Sequence, residues 1–183
     1  MEHLNLKQVI ETADQLQRTL HRLIISDQGL HAATAVASSA RMAGTMLLRD
    51  LVERPGRHEA GTSPLSDDAG RPAPVLAETL FATLGQLGHG DLDEQGVRGS
   101  RASTALSHLS LGETQAILEP WYLKTVGSSQ LSLREVAASA AITTGLLIHD
   151  CRDVLDVYAG CAIATQGFVE PIETFPACPV AGT

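Results

Sequence analysis

Aromatic residues make up only 3% of this chain, one Trp, two Tyr and three Phe. Alternating runs of β-branched residues are almost absent as well, so the usual ingredients of strands are missing. Lysine is nearly missing: Lys7 and Lys124 are the only two. With 21 Asp and Glu against 13 Lys and Arg, the net charge is -8 and the pI is near 5.3. That balance opposes contact with nucleic-acid phosphates and with anionic lipid, so neither nucleic acid nor membrane is an expected partner. The three cysteines, Cys151, Cys161 and Cys178, have no C-x-x-C spacing, and the start MEHLNLKQ has no apolar leader segment. A reducing cytoplasmic setting is therefore expected. The strongly apolar windows, such as 136–148, stop at 13 residues and are full of Ser and Thr. That is short of the roughly 20 residues that a bilayer-spanning helix needs.

Complete chemical signatures are lacking too. G-x-S-x-G, the P-loop, the Rossmann glycine pattern, E-x-x-H and H-x-x-x-H do not occur, so no cofactor is expected. Cys151 falls on a core seam, where a buried thiol is usually inert.

What the chain does contain is two stretches, 30–50 and 131–151, written in Ala, Ser, Thr, Gly and aliphatics. At an offset of 101 residues Leu30, Ala37, Ser38, Ala40 and Gly44 align with Leu131, Ala138, Ser139, Ala141 and Gly145. Shared composition accounts for most of that match, since a true repeat recurs across whole units. Helices so poor in bulk can be approached closely by a neighbour. Ala37, Ala40 and Gly44 on one, with Ala137, Ala140 and Thr144 on the other, mark the positions expected at the closest helix-helix contact.

The remaining text reads as helices separated by breakers. Leu6, Val9, Ala13, Leu16, Leu20 and Leu23 form a narrow apolar seam. Pro55, Pro64, Pro72 and Pro74 with three glycines make 54–74 an irregular loop. Pro74 suits the first turn of a helix over 75–87 with Leu76, Leu80, Leu84 and Leu87 inside. Ser110 with Glu113 and Ser132 with Glu135 are capping-box patterns, and Pro120 should kink or interrupt the helix that the first one opens. Cys161 to Val169 reads as a short strand or a loop, and 171–183 as a tail. The expectation is a single all-α domain over 1–170, an irregular bundle of about five helices with small-residue-rich central helices.

Three short patterns resemble known sites. Residues 131–149, LSLREVAASAAITTGLLIH, resemble the helix-turn-helix of TetR-type repressors, which implies operator-DNA binding through a second helix. Ala141 replaces the usual turn glycine, and His149, Asp150 and Asp153 close the would-be recognition helix with charge that repels phosphates. Asp91, Asp93, Gln95 and Gly96 occupy the opening places of an EF-hand-like calcium loop, whose twelfth place is Ala102 rather than Glu. His149 with Asp150 resembles the HD dipeptide of metal phosphohydrolases, and His108 could join the pair as a metal ligand.

Arg41 is the odd residue among small ones. A guanidinium there must reach water, pair with a carboxylate or clamp an anion, with Arg49 as a possible second clamp. Because more apolar seam is visible than one small bundle needs, the leading expectation is a non-enzymatic cytoplasmic protein that self-associates, as a homodimer, or docks a protein partner. The alternative is an enzyme or sensor with a small-molecule or metal site between helices near Arg41, Arg49, His149 and Asp150. Helix-turn-helix DNA binding at 131–149 is the minor one.

Overall fold

The structure, a computed structural model, describes residues 6–53 and 72–174. Seven helices run in order α1 (Leu6–Ile24), α2 (Ala32–Glu53), α3 (Pro72–Gln86), α4 (Glu94–Gly99), α5 (Leu111–Ser129), α6 (Leu133–Asp150) and α7 (Val157–Glu173), with a 3-10 turn at Thr104–Leu106 before α5. No strand forms among the described residues; an isolated bridge between Ser26 and Gly29 closes the turn after α1. The fold is all-helical.

Local signals explain most boundaries. Both capping boxes are formed: Ser110 and Ser132 accept from the backbone of Glu113 and Glu135, whose carboxylates reach back to the cap. Asp93 and Asp156 cap α4 and α7 in the same way. Pro120 does not interrupt α5, which continues to Ser129. It lies on the solvent face with Ala116, so the carbonyl it leaves unpaired can be served by water. Asp93 therefore works as a helix cap in the segment that resembles a calcium loop.

The helix count exceeds the expected five because of α4 and α7. Residues 161–169, read as strand or loop, lie inside α7, and the expected tail boundary at 171 falls within the same helix. The expected loop over 54–74 lies outside the described residues except for its end, where α3 already runs from Pro72. The tail from 175 lies outside them as well.

The helices interlace in two sets. α2 packs mainly on α7 and α6, α6 on α2, α3 and α1, while α1 hardly touches α2 and α5 hardly touches α6. Exchanging α1, α2 and α3 for α5, α6 and α7 leaves this pattern of neighbours unchanged. Each set thus lays its outer helices on the other set's central helix. Direction follows from the bonds: Ser139 Oγ donates to the Val9 carbonyl and Thr143 Oγ1 to the Ala13 carbonyl, each at 3.0 Å. Equal steps along both helices make α1 and α6 parallel. Gln115 Nε2 to Thr45 Oγ1 at 3.1 Å and Arg49 Nε to Glu119 Oε1 at 2.6 Å make α2 and α5 parallel too. The similar stretches 30–50 and 131–151 thus supply the central helices of the two sets.

Interlacing consumes the apolar seams. Val9, Ala13, Leu16 and Leu20 of α1 are buried, as is nearly all of α2 from Ala33 to Leu48. The surplus of seam visible in the sequence is spent inside this chain.

Candidate functional site

Arg41 lies on a buried turn of α2, and its side chain is 4% exposed. Nε and Nη2 donate to the two carboxylate oxygens of Glu170 on α7 at 2.8 and 3.0 Å. Nη1 donates to the Leu109 carbonyl and, at 3.4 Å, to Ser107 Oγ in the segment before α5. Four of the five guanidinium hydrogens are thus directed at acceptors of this chain. Ser107 also donates to the Leu109 carbonyl at 2.9 Å. A bidentate carboxylate with carbonyl support is the arrangement that repays desolvation of an arginine. Glu170 thereby occupies the bidentate face that an anionic ligand would need.

Beside this niche Thr34, near the start of α2, accepts from the His108 backbone at 2.9 Å and lies 2.8 Å from His31 Nδ1. The two imidazoles stack with centroids 3.8 Å apart and planes inclined by 12°. Burial, and then the nearby His108, push the pKa of His31 below its ordinary value.

Arg49 and the His149–Asp150 pair are engaged elsewhere. Arg49 pairs with Glu119 of α5 at 2.6 Å and, across one helical turn, with Glu53 at 3.7 Å. His149 Nδ1 lies 2.9 Å from His89 Nε2, which joins the end of α6 to the segment after α3. Asp150 Oδ2 accepts from Gln17 of α1 at 2.7 Å. The candidate clamp residues Arg41 and Arg49 therefore bind separate carboxylates, and His108 stacks on His31 while His149 meets His89. Among the described residues no group of three or more His, Cys, Asp and Glu is arranged to hold a metal. Burial raises the thiol of Cys151, with Asp150 adding to it, and pushes Cys161 up to about 12 with a contribution from Asp156. Neither is a ready thiolate.

The segment that resembles a helix-turn-helix is corrected by the structure. α6 runs without a break through Ala141, which is fully buried, and Val136, Ala137, Ala140, Thr143, Thr144 and Ile148 are buried with it. An alanine at the would-be turn simply continues the helix, which keeps one partly exposed stripe at Arg134, Ala138, Ile142 and Leu146.

The small residues set helix-helix distances. A Cβ on Gly44 would collide with the Phe168 backbone of α7, and one on Gly167 would come within 2.8 Å of Ala40 Cβ. So Ala37, Ala40 and Gly44 line the crossing of α2 with α7. Ala140 and Thr144 face α2 instead: Ser39 Oγ donates to the Ala140 carbonyl at 3.1 Å and accepts from Thr144 at 2.9 Å. Ala137 is buried on the same helix. Tyr122 is fully buried beside this hydroxyl pair; burial pushes its pKa up, with Ser39 opposing part of that. Its hydroxyl has no hydrogen-bond partner of good geometry among the described residues.

Against these closed polar clusters stands one open apolar site. α3, α7 and the segment leading into α4 enclose a groove of about 710 Å³. Partly exposed Phe81 lines it from α3 and fully buried Phe168 backs it from α7, with Pro74, Leu92 and Val169 completing the apolar lining, and Glu78 and Glu94 carry charge there. Glu78 is exposed, and Glu94 shares Arg98 at 2.9 Å across a turn that water reaches freely. Thr165 also lines it, but its hydroxyl is already bonded to the Cys161 carbonyl at 2.9 Å. A second exposed feature is Trp121 on α5, with Arg22 and Lys124 over its ring at 5.1 and 5.3 Å.

Sequence reasoning missed the groove because α7 was not legible as a helix, so Phe81 had no opposite wall. The one available signal was Asp156 ahead of an apolar stretch, which is a cap position. No family model, no curated protein and no solved structure matches this chain.

Proposed function

We propose that this is a non-enzymatic helical protein that acts by docking a protein partner on the groove between α3 and α7. The observation that carries the reading is a contrast in how groups spend their bonds. The residues best suited to chemistry or anion binding, Arg41, Arg49, His149 and Asp150, are each committed to partners within the chain. Phe81 and Leu92 at the groove pack on the core but, like Val169, stay partly exposed among the described residues. A cavity with an apolar floor and charged residues at its rim is where a protein commonly takes a ligand or partner. Docking is favoured over a homodimer built on surplus helix seams, because the seams of α1, α2 and α6 are filled within this chain.

The test is native mass spectrometry of the freshly purified protein, combined with the binding of an apolar dye such as anilinonaphthalene sulfonate. The expected result is a chain free of small molecules and metals that binds dye, with the dye lost in Phe81→Glu and retained in Arg41→Met. A stoichiometric small molecule or metal on the native protein would overturn the reading in favour of a ligand or metal site.

A further inference from the structure

Resting on the docking reading for its consequence, we infer that the hydrogen bond between His89 and His149 is an acid-sensitive clasp that fixes the groove wall carrying Leu92 to the end of α6. The geometry of the pair defines its chemistry. The facing nitrogens, His89 Nε2 and His149 Nδ1, are 2.9 Å apart, while the ring centroids stand 5.2 Å apart. That is nearly the widest spacing two imidazoles can have at such a nitrogen distance, so both nitrogens lie on the line between the rings. Two imidazoles on one metal ion bend around it and bring their centroids closer. The pair therefore shares one hydrogen, with one ring donating and the other accepting.

Protons act on this bond in two steps. In the neutral pair the donor ring points its hydrogen inward and the acceptor ring carries its own on the outer nitrogen. A first added proton settles on the outer nitrogen of the donor ring, which donates as before. A second has only the inner lone pair of the acceptor to take. Two N–H groups and two positive charges then face each other, and the rings must part. His31 and His108, stacked face to face with planes inclined by 12°, share no such hydrogen. Around the clasp, Asp150 accepts from Gln17 of α1, which stands between Asp14 and His21 on its helix face. Arg152 donates to the His149 carbonyl, Asp93 and Asp156 cap α4 and α7, and Tyr158 of α7 lies against Gly96. Asp91, Cys151 and Asp153 are the remaining titratable groups beside the pair in the chain, and α3 brings none after Glu78.

The clasp matters because, apart from the packing of Leu92 on the core, segment 87–93 has little to hold it. Its other hydrogen bonds among the described residues are local, to the last turn of α3 and within the first turn of α4. Gly88, at φ 95°, precedes His89 and Gly90 follows it, so the backbone has a hinge residue on either side of the clasp. Leu92 stands on that segment and lines the groove. Parting the rings loosens this wall, so acid weakens the hold of the groove on an apolar occupant.

The experiment reads amide hydrogen exchange, corrected for the intrinsic effect of pH, and anilinonaphthalene sulfonate titration on the full chain at pH 8 and pH 5. Circular dichroism confirms that helix content is kept. His89→Gln places an amide that donates or accepts at the same reach without titrating, His89→Ala removes the clasp, and His31→Gln removes an imidazole elsewhere as a charge control. In the parent and in His31→Gln, acid is expected to speed exchange at Leu87, Gly88 and His89 about fivefold and to weaken dye binding about threefold. His89→Gln should show neither change, and His89→Ala should exchange fast and bind dye weakly at both pH values. An acid response of His89→Gln equal to that of the parent overturns the clasp. Faster exchange with unchanged dye affinity overturns its control of the groove and leaves the docking reading standing. Dye binding that ignores Phe81→Glu at pH 8 overturns the docking reading alone, because exchange reads the clasp without the dye.

Discussion

α2 and α6 occupy corresponding places in the two interlaced sets, yet they are held in different ways. α6 is fastened by hydroxyls: Ser139 and Thr143 donate to α1 backbone carbonyls, and Thr144 donates to Ser39. α2 is fastened by a crossing too close for any Cβ at Gly44 and by one buried ion pair, Arg41 with Glu170. At the position of α6 that corresponds to Arg41 stands Ile142, partly exposed and apolar. The comparison teaches that two helices with nearly the same composition can be centred in a core by different physics. It also shows that the charge on α2 is explained by packing needs within the fold.

The comparison is broken most severely at the glycines. Gly44→Ala should cost about 3 kcal/mol, because the added methyl meets the main chain of Phe168, which cannot turn aside. Gly145→Ala should cost at most about 1 kcal/mol, since its new neighbour is the Thr83 side chain and alanine gains helix propensity. Urea denaturation of both variants measures the difference; equal losses would remove the claimed asymmetry. Next comes Arg41→Met, expected to destabilise by about 2 kcal/mol. That is less than a fully buried pair would lose, because the abandoned Glu170 side chain keeps 23% of its exposure. Adding Glu170→Leu should recover part of the loss in the same assay.

A smaller effect separates the two hydroxyls at the centre. Ser39→Ala should cost about 1 kcal/mol, since it removes the acceptor of Thr144 and the donor to Ala140. Tyr122→Phe should be neutral or slightly stabilising, because the hydroxyl it deletes has no well-aligned partner among the described residues. The smallest effect is pH-dependent and belongs to the α2 side alone. His31 is held below 6.5 in the folded protein, so the unfolded chain takes up that proton first on acidification. The contribution is fully present above pH 6.5 and is lost as pH falls through the unfolded value toward the lower folded one. Thermal melts at pH 7.5 and 5.5 should show a smaller drop for His31→Gln than for the parent chain; an identical drop would refute the assignment.

Legibility from sequence followed the range of the interactions. Val9, Ala13, Leu16 and Leu20 of the α1 seam, the two capping boxes and Leu76, Leu80 and Leu84 of α3 are local signals that hold, whereas Leu6 at the head of the seam is exposed. α7 was illegible because its glycines answer to distant residues: Gly160 makes room for Ile148, and Gly167 for Ala40. Read locally, those glycines mark a breaker; in three dimensions they mark contacts. Arg41 was visible as an anomaly, but Glu170, its partner, lay 129 residues away, between the stretch read as strand or loop and the one read as tail. The groove required that same helix.

Interlacing also sets an order of events at the ribosome. α2 appears early, but the helix that covers Gly44, Ala40 and Arg41 is the last one described, 129 residues downstream of its arginine. At about 5–20 residues per second of synthesis, the Ala- and Ser-rich surface of α2 waits many seconds for its cover. A helix face of small residues survives such a wait better than one rich in Leu or Phe would, because it offers less apolar area to strangers. The poverty in large side chains is thus also a protection for a chain that cannot close until its far end arrives.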